Sequence, residues 1–118
     1  QKEAPVTGQK AETVYRIRAL NDAFRKNWAL GRVLLSAGIS DLDEEARVNV
    51  LSAVIVFDEF TGDNDPYGEH DCAIVAVDGL RALWKIEYYD KELRFHSEDS
   101  ADPEKTTRVM TIMFPEEY

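Results

Sequence analysis

At 118 residues the chain is long enough for one hydrophobic core and too short for two ordinary domains, and with 44% hydrophobic, 10% aromatic and 31% charged residues it is a folding chain, not a disordered one. Its 23 acids against 14 Lys plus Arg leave a net charge of −9, which opposes direct attraction to a nucleic-acid backbone or to an anionic membrane surface. Cys72 is the single cysteine, so an internal disulfide and a Cys-based zinc site are excluded.

Residues 1–9 hold Pro5 and Gly8 among polar residues without periodicity and are expected to be a flexible leader to one α+β domain over 10–118. Over 10–29, Val14, Ile17, Leu20, Phe24 and Trp28 recur at intervals of three and four, which predicts an amphipathic helix. Arg18, Asp22 and Lys26 follow one another at i, i+4 on another face, where pairs of this kind usually serve as a solvated surface. Gly31 ends the helix, and 32–37 reads as a short apolar strand. Ser40 or Asp41 is a suitable N-cap for a second helix over 42–60, with Asp43, Glu44 and Glu45 against the positive end of its dipole. The stretch 51–57 is apolar almost all round, which calls for deep burial in a monomer, the favoured state, or for a homodimer contact through that helix.

Segments 72–77 and 81–89 flank Asp78-Gly79, a standard hairpin signal. In the second of them Ala82, Trp84, Ile86 and Tyr88 alternate with Leu83, Lys85, Glu87 and Tyr89, so one face meets the helices. A polar loop with Pro103 precedes a last strand over 106–114, where Met110, Ile112 and Phe114 share a face. The order α-β-α-β-β-β predicts an α+β fold with a mostly antiparallel four-stranded sheet and two helices packed on one face.

The chemistry concentrates in Asp63-Asn64-Asp65-Pro66-Tyr67-Gly68-Glu69-His70-Asp71. From Asp58 to Asp71 there are six carboxylates and no Lys or Arg, so they must be solvated, ion-bound or matched by cations from elsewhere. Pro66 drives Asp65 toward an extended conformation and Gly68 can supply a positive φ, which makes a defined turn. Asp63, Asp65, Gly68 and Asp71 occupy the first, third, sixth and ninth places of a calcium loop, but Tyr67 stands at the fifth and Ile74 at the twelfth, where a bidentate Glu belongs. Turn-making and capping account for Asp63, Asn64 and Asp65 without an ion. Glu69 and His70 point to opposite sides of an extended segment, so His70 pairs more easily with a distant acid. Tyr88 and Tyr89 lie where they could line a pocket beside the loop, and Arg108, then Arg81, are the cations expected to approach it. The candidate binding residues are therefore Asp63, Asp65, Tyr67, Glu69, His70, Asp71, Tyr88 and Arg108. No catalytic residue, metal ligand set or cofactor motif is assigned, and Cys72 beside Ala73 and Ile74 reads as a small core residue.

The runs at 17–25, 63–71, 84–90 and 107–113 resemble those of an uncharacterised bacterial family, mainly alphaproteobacterial, domain-of-unknown-function family thirty-seven sixty-eight. The resemblance covers 11–118 and implies a single small cytoplasmic domain with no established activity. Cytoplasm is also the default for a chain with no bilayer-length apolar run and no signal-like segment, although Gln1 is not a natural start. Three function classes follow: an interaction or regulatory module whose acidic surface docks a basic partner protein; an anti-defence protein mimicking nucleic acid; and a small metal-dependent enzyme centred on Asp63, Asp65, His70 and Asp71. The first is favoured by size, charge and the absence of catalytic motifs.

Overall fold

The structure is a computed structural model describing residues 8–118. Residues 1–7 of the expected leader lie outside the described residues. Helix α1 (Gly8–Lys26) takes in Gly8 and Gln9 and ends three residues earlier than the periodicity predicts. Asn27 breaks it: in an extended conformation, φ −140°, it turns its side chain back to accept from the Ala29 N–H at 3.2 Å and opens a separate 3-10 turn, Trp28–Leu30. The buried face of α1 carries Ile17 and Phe24 as expected, but also Asn21 and Arg25, at 0% and 2% exposure.

Strand β1 (Arg32–Leu35) stops two residues short of the predicted end because Ser36 is an N-cap: its Oγ accepts from the Ile39 N–H at 3.2 Å and starts a one-turn helix, α2 (Ala37–Ser40), absent from the sequence-based expectation. Helix α3 (Glu44–Val56) is capped by Asp43, not by Ser40 or Asp41, through a 2.8 Å bond from the Ala46 N–H. It ends at Val56 instead of continuing to residue 60. Phe57 turns extended, ψ 131°, and its carbonyl, one of those a helix end leaves free, accepts from Arg25 Nη2 at 3.1 Å. A tertiary contact thus fixes the boundary.

Strands β2 (Cys72–Val77), β3 (Leu80–Tyr89) and β4 (Thr107–Met113) complete a four-stranded sheet of order β1-β4-β3-β2. The β2–β3 and β3–β4 pairs are antiparallel, whereas β1 runs parallel to β4, with Arg32 opposite Val109 and Leu35 opposite Ile112. The sheet is accordingly mixed. Asp78 and Gly79, at φ 54° and 80°, form the two-residue turn joining β2 to β3.

One sheet face carries Ala73, Val75, Ala82, Trp84, Ile86, Met110 and Ile112, which close against Phe24 of α1, Ile39 of α2 and Val50 and Val54 of α3. Trp84, Phe24, Val50 and Val54 are fully buried, so 51–57 lies against the core of the monomer along one side, while Val48 and Val56 on the other side are exposed. The chain packs tightly where α1 meets β4: a Cβ on Gly31 would sit 2.6 Å from the Arg108 carbonyl oxygen and 2.7 Å from the Phe24 ring. At the C-terminus Glu117 clasps the start of α2, accepting from Ser36 Oγ at 2.6 Å and the Gly38 N–H at 2.9 Å, and these bonds with that from the Phe114 N–H hold its carboxyl below the usual range. Among the described residues no helix is long and apolar enough to cross a membrane.

Candidate functional site

The acidic loop is built outward from its own turns. Asn64 Oδ1 accepts from the Thr61 N–H at 2.8 Å while its Nδ2 donates to the Glu59 carbonyl at 2.9 Å, and Thr61 Oγ1 accepts from the Asp63 and Asn64 amides at 3.2 Å each. Gly68 takes the positive φ its sequence position suggests, 74°, but His70 does so too, at 55°. A non-glycine residue stays in that region only when its surroundings hold it there. Here Asp65 Oδ1 accepts from the His70 N–H at 3.2 Å, and the His70 ring lies flat on Phe60, centroids 3.8 Å apart and planes 5° from parallel.

The His70 ring is strung between two carboxylates. Nδ1 is 2.9 Å from Asp22 Oδ1, and Nε2 is 3.5 Å from Asp65 Oδ2. Asp22 is shared in turn with Arg25 Nη1 at 3.1 Å. The Arg25 guanidinium is packed over Trp84 and Phe60, 5.2 and 5.3 Å from their centroids, and these faces offset part of the cost of burying its charge. The distant acid expected for His70 is therefore Asp22 of α1.

A second line runs parallel to the first. Arg108 Nε donates to Asn21 Oδ1 at 2.6 Å, Asn21 Nδ2 donates to the Glu69 carbonyl and to Tyr88 Oη at 2.9 and 2.8 Å, and Tyr88 Oη donates to Glu69 Oε1 at 2.7 Å. Burial and the bond to Glu69 keep the Tyr88 hydroxyl protonated far above the ordinary phenol range, and burial lowers the pKa of Arg108. Arg18 Nε adds a 2.6 Å bond to the Gly68 carbonyl. Helix α1 thus grips the loop through Arg18, Asn21, Asp22 and Arg25. The expectation that Arg18 and Asp22 form a solvated face is corrected: both are spent on the loop, because its backbone carbonyls and His70 lie against that side of the helix.

Of the candidate residues, the structure brings Asp65, Glu69, His70, Tyr88 and Arg108 into these two internal lines, Arg108 reaching the loop through Asn21. Asp71 is half-buried; Asp63 and Tyr67 are exposed, Tyr67 at 72%. Arg81 stands at the turn end of the β2–β3 hairpin, away from the loop. Tyr89 shares a shallow depression with Tyr88 and His96. Among the described residues no three His, Cys, Asp or Glu side chains are grouped to hold a metal ion. Burial raises the Cys72 thiol pKa, with Asp71 adding to it, which weakens Cys72 as a nucleophile. The four gripping residues of α1 were missed from sequence, although Asn21 and Arg25 interrupt its apolar stripe and carry the signal.

Two outcomes follow. Asp65→Ala is expected to lower stability by about 1 kcal/mol through loss of the cap on His70, equally with and without chelator, while calcium, magnesium, manganese and zinc leave the wild-type melt unchanged. A metal-dependent rise in the wild-type melting temperature that disappears in the variant would contradict this. For Asp71, burial first and Glu69 second raise the carboxyl pKa above 3.8. The folded state then binds the proton more tightly than the unfolded one, so this group's contribution to stability falls as pH rises from 3.8 through the folded value. Asp71→Asn is expected to melt higher than wild type at pH 7, and the gap should close below the ordinary carboxylate pKa; thermal melts across pH 3 to 7 check it.

The model of the family described as "Protein of unknown function (DUF3768)" matches residues 35–117, leaving out α1 and most of β1. No curated protein and no solved structure matches the chain.

Proposed function

The chain belongs to the DUF3768 family, and on that footing we propose that it is a protein-interaction module that docks a basic partner through the outer surface of its acidic loop. The observation that carries this reading is a division of labour within one segment. His70 and Glu69 turn inward to α1 and β3 and Asp65 turns onto His70, while Asp58, Glu59, Asp63 and Tyr67 stay exposed on the same braced backbone. A surface held in place before binding loses little conformational entropy on association. With no Lys or Arg between Asp58 and Asp71, its field attracts cationic groups and repels anionic ones.

The test is fluorescence anisotropy of a Lys- and Arg-rich peptide and a Glu-rich control, against wild type and the triple variant Asp58→Lys, Glu59→Lys, Asp63→Lys. Saturable binding of the basic peptide alone is expected, weakening with salt and dropping at least about tenfold in the variant. Equal binding by wild type and variant, or none by wild type at low salt, would defeat the proposal.

A further inference from the structure

Strand β2 is an edge of the sheet and its sequence, Cys72-Ala73-Ile74-Val75-Ala76-Val77, contains no charge, proline or glycine. Those are the devices by which edge strands ordinarily discourage pairing, so this one is left open along six residues. The opposite edge, β1, has four residues and begins with Arg32.

The hairpin turn settles which backbone groups face outward. In a two-residue turn with both central residues at positive φ, the flanking pair Val77–Leu80 exchanges hydrogen bonds, and alternate pairs do so from there. Val75 and Ala73 therefore bond to β3, continuing to the Asp71 carbonyl, which accepts from the Ile86 N–H at 2.7 Å. Cys72, Ile74 and Ala76 aim their N–H and C=O groups away from the sheet, and these take no partner among the described residues.

Beside that edge runs a groove of about 380 Å³ between β2 and the end of α3. Ala53, Val56 and Phe57 form its apolar wall and Asp58 and Glu59 its acidic one, with no Lys or Arg lining it. Val56 is 71% exposed and Ile74 40%, leaving apolar surface on both sides of the open backbone. Asp71 and Asp78 bound the two ends of the strand.

We infer that β2 is a strand acceptor: an extended, basic segment of a partner protein, alternating cationic and apolar residues, adds to this edge with its backbone on Cys72, Ile74 and Ala76 and its cations toward Asp58 and Glu59. This rests on the basic-partner reading above and specifies how the partner binds. Charge selects this occupant over a second copy of the chain. Antiparallel pairing of two β2 strands would set Asp71 of one copy near Asp78 of the other, in a chain already at −9. A cationic strand meets carboxylates at the same places.

The probe is a short alternating Lys–Val peptide, compared with the same peptide N-methylated at the backbone nitrogens on one edge. Methylation keeps charge and side chains but removes the pairing donors. The unmodified peptide is expected to bind at least about tenfold more tightly than the methylated one and to slow amide exchange at Ile74 and Ala76. Ala76→Pro removes an outward N–H without touching the ladder, and should reproduce the loss of affinity with an unchanged melt. If both peptides bind equally and those amides stay unprotected, strand addition is overturned while basic docking stands. If neither binds, both readings fall. If the amides are protected without peptide, in step with dimer on a sizing column, a second copy is the occupant and the inference is overturned.

Discussion

Val54→Asp is expected to unfold the protein. Val54 is fully buried, packed into the cluster that includes Val50, Trp84 and Ile112. Arg25, the buried cation over Trp84, is already engaged with Asp22 and the Phe57 carbonyl. Burying a carboxylate there costs several kcal/mol whether it stays charged or takes up a proton, and the apolar packing of the valine is forfeited as well. Against a typical total of about 5–15 kcal/mol for a domain, that is enough to populate the unfolded chain at room temperature. Circular dichroism should show no cooperative melt. A folded monomer on a sizing column would instead mean that Val54 faces another chain, contrary to its burial here.

Asn21→Leu is the second large effect. The substitution preserves side-chain bulk but takes from Arg108 the acceptor of its Nε–H and from Tyr88 and the Glu69 carbonyl their donor. Arg108 is 5% exposed, so water cannot replace the lost bond. Leaving a buried charged donor short of an acceptor costs more than the bond contributes when formed, and the expected loss is about 3 kcal/mol. Arg108→Met alone strands Asn21 Oδ1 and is expected to cost less. Replacing both partners together removes the orphan, so the double variant should be more stable than the sum of the single changes implies. A double-mutant cycle by urea denaturation measures that coupling, and additivity would show that Asn21 and Arg108 do not depend on each other.

What sequence could reveal divides along a physical line. Many local signals read well: the Asp78-Gly79 turn, the Ile17 and Phe24 stripe, the alternation of Ala82, Trp84 and Ile86, and the positive φ at Gly68 are all dictated by residues within a few positions of one another, although the equally local caps at Asn27, Ser36 and Asp43 were not read. Boundaries set from far away did not read well. The end of α3 depends on Arg25 reaching Phe57 from another helix, and the parallel pairing of β1 with β4 joins segments separated by most of the domain. The loop shows both cases. Its turn chemistry was legible in Asn64, Asp65 and Gly68, and the need for outside partners in its lack of cations, whereas the part played by Thr61 was not read. That the partners come from α1 was not, because Arg18 and Asp22 at i, i+4 look like any exposed ion-pair ladder until the loop is laid across them.

The order of strands also carries a message about time. β4 is the last of the four strands to be synthesised and sits between β1 and β3, not at an edge. While a ribosome is still making this protein, β1 has no neighbour to join, and the hairpin of β2 and β3 lacks the Met110 and Ile112 side chains that pack beside Trp84. The nascent chain must therefore wait, its apolar hairpin uncovered, until β4 has emerged. A chain interrupted before Thr107 loses the middle of its sheet and not a dispensable tail, and so becomes a natural substrate for chaperones and proteases.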